Sequence, residues 1–511
     1  MGTLQQIARF AALAALFLAT QAAGAPGTAA KGKEIYDKRC TWCHGAEGDG
    51  AGAAKDFLNP PPRDFTSGNY KIKSSSFEDM VPSDDDVFRM IRDGMPGTAM
   101  PGWKDLLSEQ DMWDLVAFVK SFAQYDKPPA KMVDFGSAVA SSADSIAKGK
   151  KLFEDGDRCV ECHGKSGKGS LSKRLKGDGG ERTWPRNLTK PWTYRGSSDP
   201  KDIYARIYTG IPGTEMPSFA DPKSSKKLSS EEMWHVANYV ASLAKTGKPV
   251  SAEDTVVKAE KVDGELPANT TDERWQKAAS TSFYLVPQII GKERYFTPSN
   301  DTISVRALYN DKAIAFLLEW DDRTKSIPGD EAAEKIADPP IAEDAVAIQL
   351  PVTIPSDMQK PYFGMGDTTH PVNIWHWKSG SKSAPESVRL MSSRGFKEIE
   401  KRDAAALGLK ATGSYEEGAW KVILQRPLAT AEPDKDIQFA EGKFIPIAFA
   451  SWDGSNNSEQ GSKHTMTTWY WVLLKPASGQ KPLLMGLLVA LLIAAGLVWW
   501  ARGAARAGRA K

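Results

Sequence analysis

Four cysteines in 511 residues are too few for a disulfide-built scaffold, and all four fall inside two short motifs that leave no thiol over for a bridge. Cysteine usage therefore does not fix the redox compartment. Net charge is equally small: it is formally +2, and no long basic run offers a surface for nucleic acid. A chain of this length implies several domains with sizeable cores.

What is present begins with Cys40-Thr41-Trp42-Cys43-His44 and its second occurrence, Cys159-Val160-Glu161-Cys162-His163. In C-x-x-C-H the two thiols form thioethers to one haem and the adjacent imidazole reaches the iron. Each copy thus predicts a covalent haem c, on Cys40 and Cys43 with His44, and on Cys159 and Cys162 with His163. A thioredoxin-like pair has no need of the His, and a zinc site would have to recruit ligands elsewhere.

The motifs belong to a longer duplication. Lys31-Gly-Lys-Glu-Ile-Tyr36 matches Lys148-Gly-Lys-Lys-Leu-Phe153, and Pro62-Arg-Asp-Phe-Thr66 matches Pro185-Arg-Asn-Leu-Thr189. Gly94-Met-Pro-Gly-Thr-Ala-Met-Pro101 matches Gly210-Ile-Pro-Gly-Thr-Glu-Met-Pro217, and each copy closes on a helix announced by Ser108 or Ser229 as N-cap with acids in the first turn. Two copies in one order predict two domains of one fold, small and helical. The sixth iron ligand should be a thioether held extended before proline: Met100, sixty residues after Cys40, and Met216, fifty-seven after Cys159. Met95 is a rival to Met100, but the second copy has Ile211 in its place and keeps Met216. Stretches 126–147 and 246–270 read as polar linkers that let the domains move.

The chain ends bear on location. Residues 1–25, with Arg9 and an apolar run from Phe10 to Ala19, read as a signal peptide. Leu483 to Trp500 is an uncharged apolar run of eighteen residues, about 27 Å as a helix, followed by a basic tail over 501–511. The expectation is a single-pass inner-membrane protein, its bulk periplasmic and its C-terminus cytoplasmic.

Residues 31–125 and 146–247 resemble class I cytochrome c domains, in which the motif His and a Met in a Met-Pro loop ligate haem. Such sites have no open position, so the resemblance implies electron carriers. Arg63 and Arg186 are candidates to pair with haem propionates, or else to form surface salt bridges.

Between 269 and 476 the pattern changes to short apolar or alternating runs, such as Ala313 to Trp320 and Ala345 to Leu350, cut by Gly, Pro, Asn and Asp. They predict an all-β domain, an antiparallel sandwich. Pro361-Tyr-Phe-Gly-Met-Gly-Asp367, Pro371-Val-Asn-Ile-Trp-His-Trp-Lys378 and Ala450-Ser-Trp-Asp-Gly454 with Gly461-Ser-Lys-His464 gather aromatics, thioether and nitrogen ligands beside glycines. These stretches resemble the haem b-binding gamma subunits of ethylbenzene dehydrogenase and related type II molybdenum enzymes of the dimethyl sulfoxide reductase family. The resemblance implies one non-covalent haem b with Met365 and Lys463 as axial ligands. His376 and His464 remain rival ligands, imidazole being the commoner choice.

The expected fold class is therefore two all-α cytochrome c domains, an all-β sandwich and a C-terminal transmembrane helix. The expected function is a multihaem electron-transfer subunit, not itself an enzyme. It would serve a molybdopterin enzyme with an iron–sulfur subunit, nitrite or nitrate oxidoreductase among the choices, and exchange electrons with a soluble cytochrome c or respiratory complex. Its rivals are a dihaem carrier with a haem-free docking or sensing domain, and a dihaem peroxidase, against which Met100 and Met216 argue.

Overall fold

A computed structural model describes residues 27–124, 128–244, 255–289, 300–456 and 463–507, apart from positions 59, 97, 157, 170–172, 179, 181, 338–339, 357–358 and 477–480. The signal-peptide stretch 1–25 lies outside the described residues.

The first repeat unit forms helices α1 Ala29–Arg39, α2 Thr41–His44, α3 Asp84–Asp93 and α4 Glu109–Ser121; the second forms α5 Ala143–Glu154, α6 Val160–His163, α7 Pro200–Thr209 and α8 Ser230–Ser242. Capping is local and reciprocal. Ser108 Oγ accepts the Asp111 N–H at 3.1 Å and Ser229 Oγ accepts that of Glu232 at 3.3 Å, while each acid answers the serine's own N–H. The Lys-Gly-Lys repeat acquires its reason in packing. A Cβ on Gly32 would stand 2.0 Å from the Asp114 carbonyl oxygen, and one on Gly149 would stand 2.0 Å from that of His235. Only glycine lets α1 cross α4, and α5 cross α8, so closely. Tyr36, Phe88, Leu115 and Val116 fill the first core, and Phe153, Tyr204, Trp234 and Val240 the second.

The stretch read as a loose first linker is docked instead. Val133 N–H donates to Ser74 at 2.9 Å, Trp234 Nε1 to Phe135 O at 2.8 Å and Asn238 Nδ2 to Val139 O at 3.0 Å. Arg89 pairs with Asp202 across the two cytochrome units at 3.2 Å. The second linker is corrected too, since Val256–Lys261 within it is a strand.

That strand pairs in parallel with Tyr470–Leu474 and with Thr302–Tyr309, so the third domain is not wholly antiparallel. The remaining main pairings are antiparallel, and Phe444–Trp452 joins two sheets, its first half on Tyr470–Leu474 and its second on Ala345–Pro351. The inner faces share one core. Phe316 meets Trp375 edge-on at 6.0 Å and Trp320 meets Trp377 at 6.3 Å. Each fully buried Trp of this kind contributes at least ~2 kcal/mol of burial.

The terminal helix Lys481–Ala507 holds the apolar run expected to span a membrane. Among the described residues, however, no helix is long and apolar enough to cross a membrane. The expected transmembrane span over 483–500 is corrected on this ground. The single-pass inner-membrane placement, with its periplasmic bulk and cytoplasmic tail, falls with it.

Candidate functional site

Helix α2 begins at the C-cap of α1, so Cys40, Cys43 and His44 share one short turn. In both copies the ring nitrogen Nδ1 faces a backbone carbonyl: His44 that of Arg63 at 3.0 Å, His163 that of Arg186 at 3.1 Å. A carbonyl only accepts, so Nδ1 carries the proton and Nε2 keeps its lone pair for a metal. Burial lowers the pKa of both rings, which keeps them neutral as a ligand must be. Burial also pushes the Cys40 and Cys159 thiols up to about 11.

The methionine loops repeat this symmetry. Met100 N–H lies 3.2 Å from Thr98 Oγ1 while its carbonyl accepts from Met95 N at 3.0 Å; Met216 N–H lies 3.3 Å from Thr214 Oγ1 while its carbonyl accepts from Ile211 N at 3.1 Å. Met95 and Ile211 thus occupy one structural position. In the second unit a cavity of about 340 Å³ has Cys159, Cys162, His163 and Met216 together in its wall. Two thiols, an imidazole and a thioether around an apolar space fit a covalent haem. In the first unit His44 is buried and stacks on Phe65 at 4.5 Å.

A larger cavity, about 990 Å³, opens in the third domain with Met365, His376, Trp452 and His464 in its wall. Met365 sits at φ +70°, a strained value for a residue with a side chain, held by Ser393 Oγ at 2.8 Å and Gly395 N at 2.9 Å donating to its carbonyl. Lys463 is not in that wall; its Nζ donates to the Asn456 carbonyl at 3.3 Å. His376 Nε2 is buried without a hydrogen-bond partner, and burial, Lys378, Arg389 and His464 hold its pKa down at about 3. A neutral, unpartnered imidazole beside a thioether in an aromatic-lined space fits a non-covalent haem.

Sequence reasoning missed several lining residues. Arg195, Arg206 and Arg323 border the smaller cavity, and Arg389 the larger. None carries a motif; only the fold brings them in.

Two helical units presenting Cys, Cys, His and Met, ahead of a β-domain with its own cavity, define a multidomain c-type cytochrome. The cytochrome c family model matches residues 29–123 and 146–244, and the ethylbenzene dehydrogenase family model matches 272–405 and 389–464. The chain belongs to the cytochrome c family through its first two domains, with an ethylbenzene dehydrogenase-type domain behind them. Cytochrome c55X of Paracoccus denitrificans is 35% identical over 107 residues, 20% of this chain and 86% of that protein. The chlorate reductase subunit gamma of Ideonella dechloratans is 26% identical over 251 residues, 46% of this chain and 94% of that one. A provisionally named respiratory nitrate reductase haem subunit of Haloferax mediterranei is 26% identical over 204 residues, 40% and 67% respectively. Cytochrome c domains imply covalent haem c, and the third domain's family suggests haem b.

Proposed function

We propose that this chain is the multihaem electron-transfer subunit of a molybdenum oxidoreductase, with catalysis on another chain. Two covalent haems c, ligated by His44 with Met100 and by His163 with Met216, would exchange electrons with a soluble cytochrome c or respiratory complex. A haem b in the third domain would face the molybdopterin enzyme and its iron–sulfur subunit, with nitrite or nitrate oxidoreductase one choice of enzyme. Haem supplies one-electron chemistry; the protein's part is to saturate the iron, exclude water and set the potential. The observation that carries the reading is the repeated geometry of His44 and His163, each with Nδ1 turned to a backbone carbonyl and each in a unit with a Met-Pro loop. The likeness to a chlorate reductase gamma subunit supports the choice of partner.

Met365 is assigned as one haem b ligand, and family resemblance puts Lys463 opposite. A second reading gives that place to His376, because its Nε2 is unpartnered and in the cavity wall. The test is a pyridine haemochrome assay on the full chain, expected to find two haems c and one haem b, with a molybdopterin subunit co-purifying. Two haems c without haem b would sink the assignment for the third domain. Loss of the haem b spectrum in His376→Ala but not in Lys463→Ala would decide for His376.

A further inference from the structure

The smaller cavity is bordered by more positive charge than its own domain supplies. Arg186 and Arg195 come from the second cytochrome unit and Arg323 from the bend just after strand Ala313–Asp321 in the β-domain. They crowd one another. Burial, then Arg195 and Arg323, push Arg186 down to about 9, and burial, then Arg323 and Arg63, push Arg195 down to about 10. Arg195 Nε is buried without a hydrogen-bond partner. Acids nearby offset part of this charge, Asp301 acting on Arg186 and Arg323 and Asp321 and Asp453 on Arg323, but Asp321 is bound by Lys190 at 2.5 Å and by Asn187 Nδ2 at 3.0 Å, and among the described residues none of these acids forms a salt bridge with Arg186, Arg195 or Arg323. Guanidinium does not shed its proton, and its planar fork matches a carboxylate. Three such groups around one space, none of them in a salt bridge among the described residues, suit an anion of more than one charge.

Arg323 lies on the seam between domains beside Arg182. Arg182 Nη1 donates to Ser455 O at 2.9 Å and its Nη2 to Asn456 Oδ1 at 3.1 Å, while Arg182 and Arg323 both lie over the Trp184 ring, at 4.4 and 5.7 Å. We propose that Arg186, Arg195 and Arg323 together bind the two propionate carboxylates of the haem attached at Cys159 and Cys162, so that this haem is anchored across the seam and its propionate edge faces the β-domain. The proposal rests on a haem c at that motif. It adds Arg195 and Arg323 as positioning residues, one of them on a different domain from the haem.

The test is spectroelectrochemical titration of the full-length holoprotein, comparing wild type with Arg323→Leu, Arg323→Lys and Arg195→Leu. A cation beside a haem favours the added electron, so its loss lowers the potential. Arg323→Leu should move one covalent-haem wave down by about tenfold in the redox equilibrium, about 59 mV for one electron. The other wave should stay, and Arg323→Lys should recover most of the shift. Limited proteolysis should also separate the cytochrome and β-domains faster in Arg323→Leu. Should that variant yield no holoprotein, Arg323→Gln and Arg195→Leu are read the same way. Full covalent haem content with both waves unmoved in Arg323→Leu, Arg323→Gln and Arg195→Leu overturns the proposal. One covalent haem per wild-type chain would instead overturn the reading beneath it.

Discussion

Gly149→Ala sets two effects of opposite sign against each other at the crossing that carries the second haem motif. Alanine is the better helix former by about 0.8–1 kcal/mol, so propensity alone predicts a stabler α5. The structure predicts the reverse. The new Cβ would lie 2.0 Å from the His235 carbonyl oxygen and 2.8 Å from Tyr239 Cβ, whereas real Cβ atoms essentially never come within 3.0 Å of another heavy atom. Because the nearest obstacle is backbone, no rotamer relieves it, and α5 must lift from α8 by about 1 Å or more. Ser145 Oγ, 2.8 Å from His235 Nδ1 and accepting from Asn238 Nδ2 at 2.9 Å, would lose both partners as the helices part. Overpacking of this kind costs ~1–3 kcal/mol, and a backbone clash belongs at the upper end. Subtracting the propensity gain leaves about 2 kcal/mol net destabilisation, which lowers Tm by about 8–16 °C for a domain near 100 residues. Thermal melting followed by circular dichroism and Soret absorbance would read this directly. Gly32→Ala should act alike in the first unit, where the Asp114 carbonyl takes the place of His235. A Gly149→Ala protein that melts at or above the wild-type temperature would show the crossing to be looser than described and refute the reasoning.

Ser229→Ala removes the acceptor for the Glu232 N–H at the start of α8 and should cost about 1 kcal/mol, seen as a lower urea midpoint with the haem spectrum intact; no change would mean water replaces the cap at no cost. A pH dependence follows from Asp344, fully buried and accepting from Ser326 N at 2.6 Å, Trp420 Nε1 at 2.9 Å and Gly454 N at 2.8 Å. Burial, then Asp453, push its carboxyl up to about 7. The unfolded chain releases that proton near ~3.9, so the native state binds the extra proton between the two values. Its contribution to stability is complete below about 4 and is lost as pH rises through about 7. Asp344→Asn cannot titrate and should flatten this slope in urea midpoints taken from pH 4 to 8, even while lowering stability at each pH; a slope equal to the wild type's would refute the assignment.

What was legible in the sequence was local or repeated. The two C-x-x-C-H turns, the Ser108 and Ser229 caps and the paired Met-Pro loops declare themselves within a few residues, and the duplication separates Met100 from Met95 where one copy would not. What escaped depends on distant partners. Val256–Lys261, with three charges in six residues, does not look like a strand until Thr302–Tyr309 and Tyr470–Leu474 flank it in parallel. Residues around Val133 and Phe135 read as linker because their ties to Ser74 and Trp234 are backbone acceptors and donors, which composition does not show.

The same division explains why ligands for the haem b proposed for the third domain are harder to choose than those proposed for the first two. In C-x-x-C-H the thioethers fix the haem beside its histidine, so one local motif decides both attachment and ligation. A non-covalent haem is fixed by the cavity, and the cavity is made by separate segments: Met365 on a loop, His376 on Val372–Lys378, and His464 beside Thr465–Met466. Side-chain direction then decides the matter. On Val372–Lys378, Trp375 and Trp377 turn into the sandwich core while Ile374, His376 and Lys378 turn to the cavity, the alternation that a strand imposes. A register shift of one residue would bury the imidazole in the core and expose two tryptophans. The pairing of His376 with Ala347 on one side and Arg389 on the other therefore presents this imidazole to the cavity.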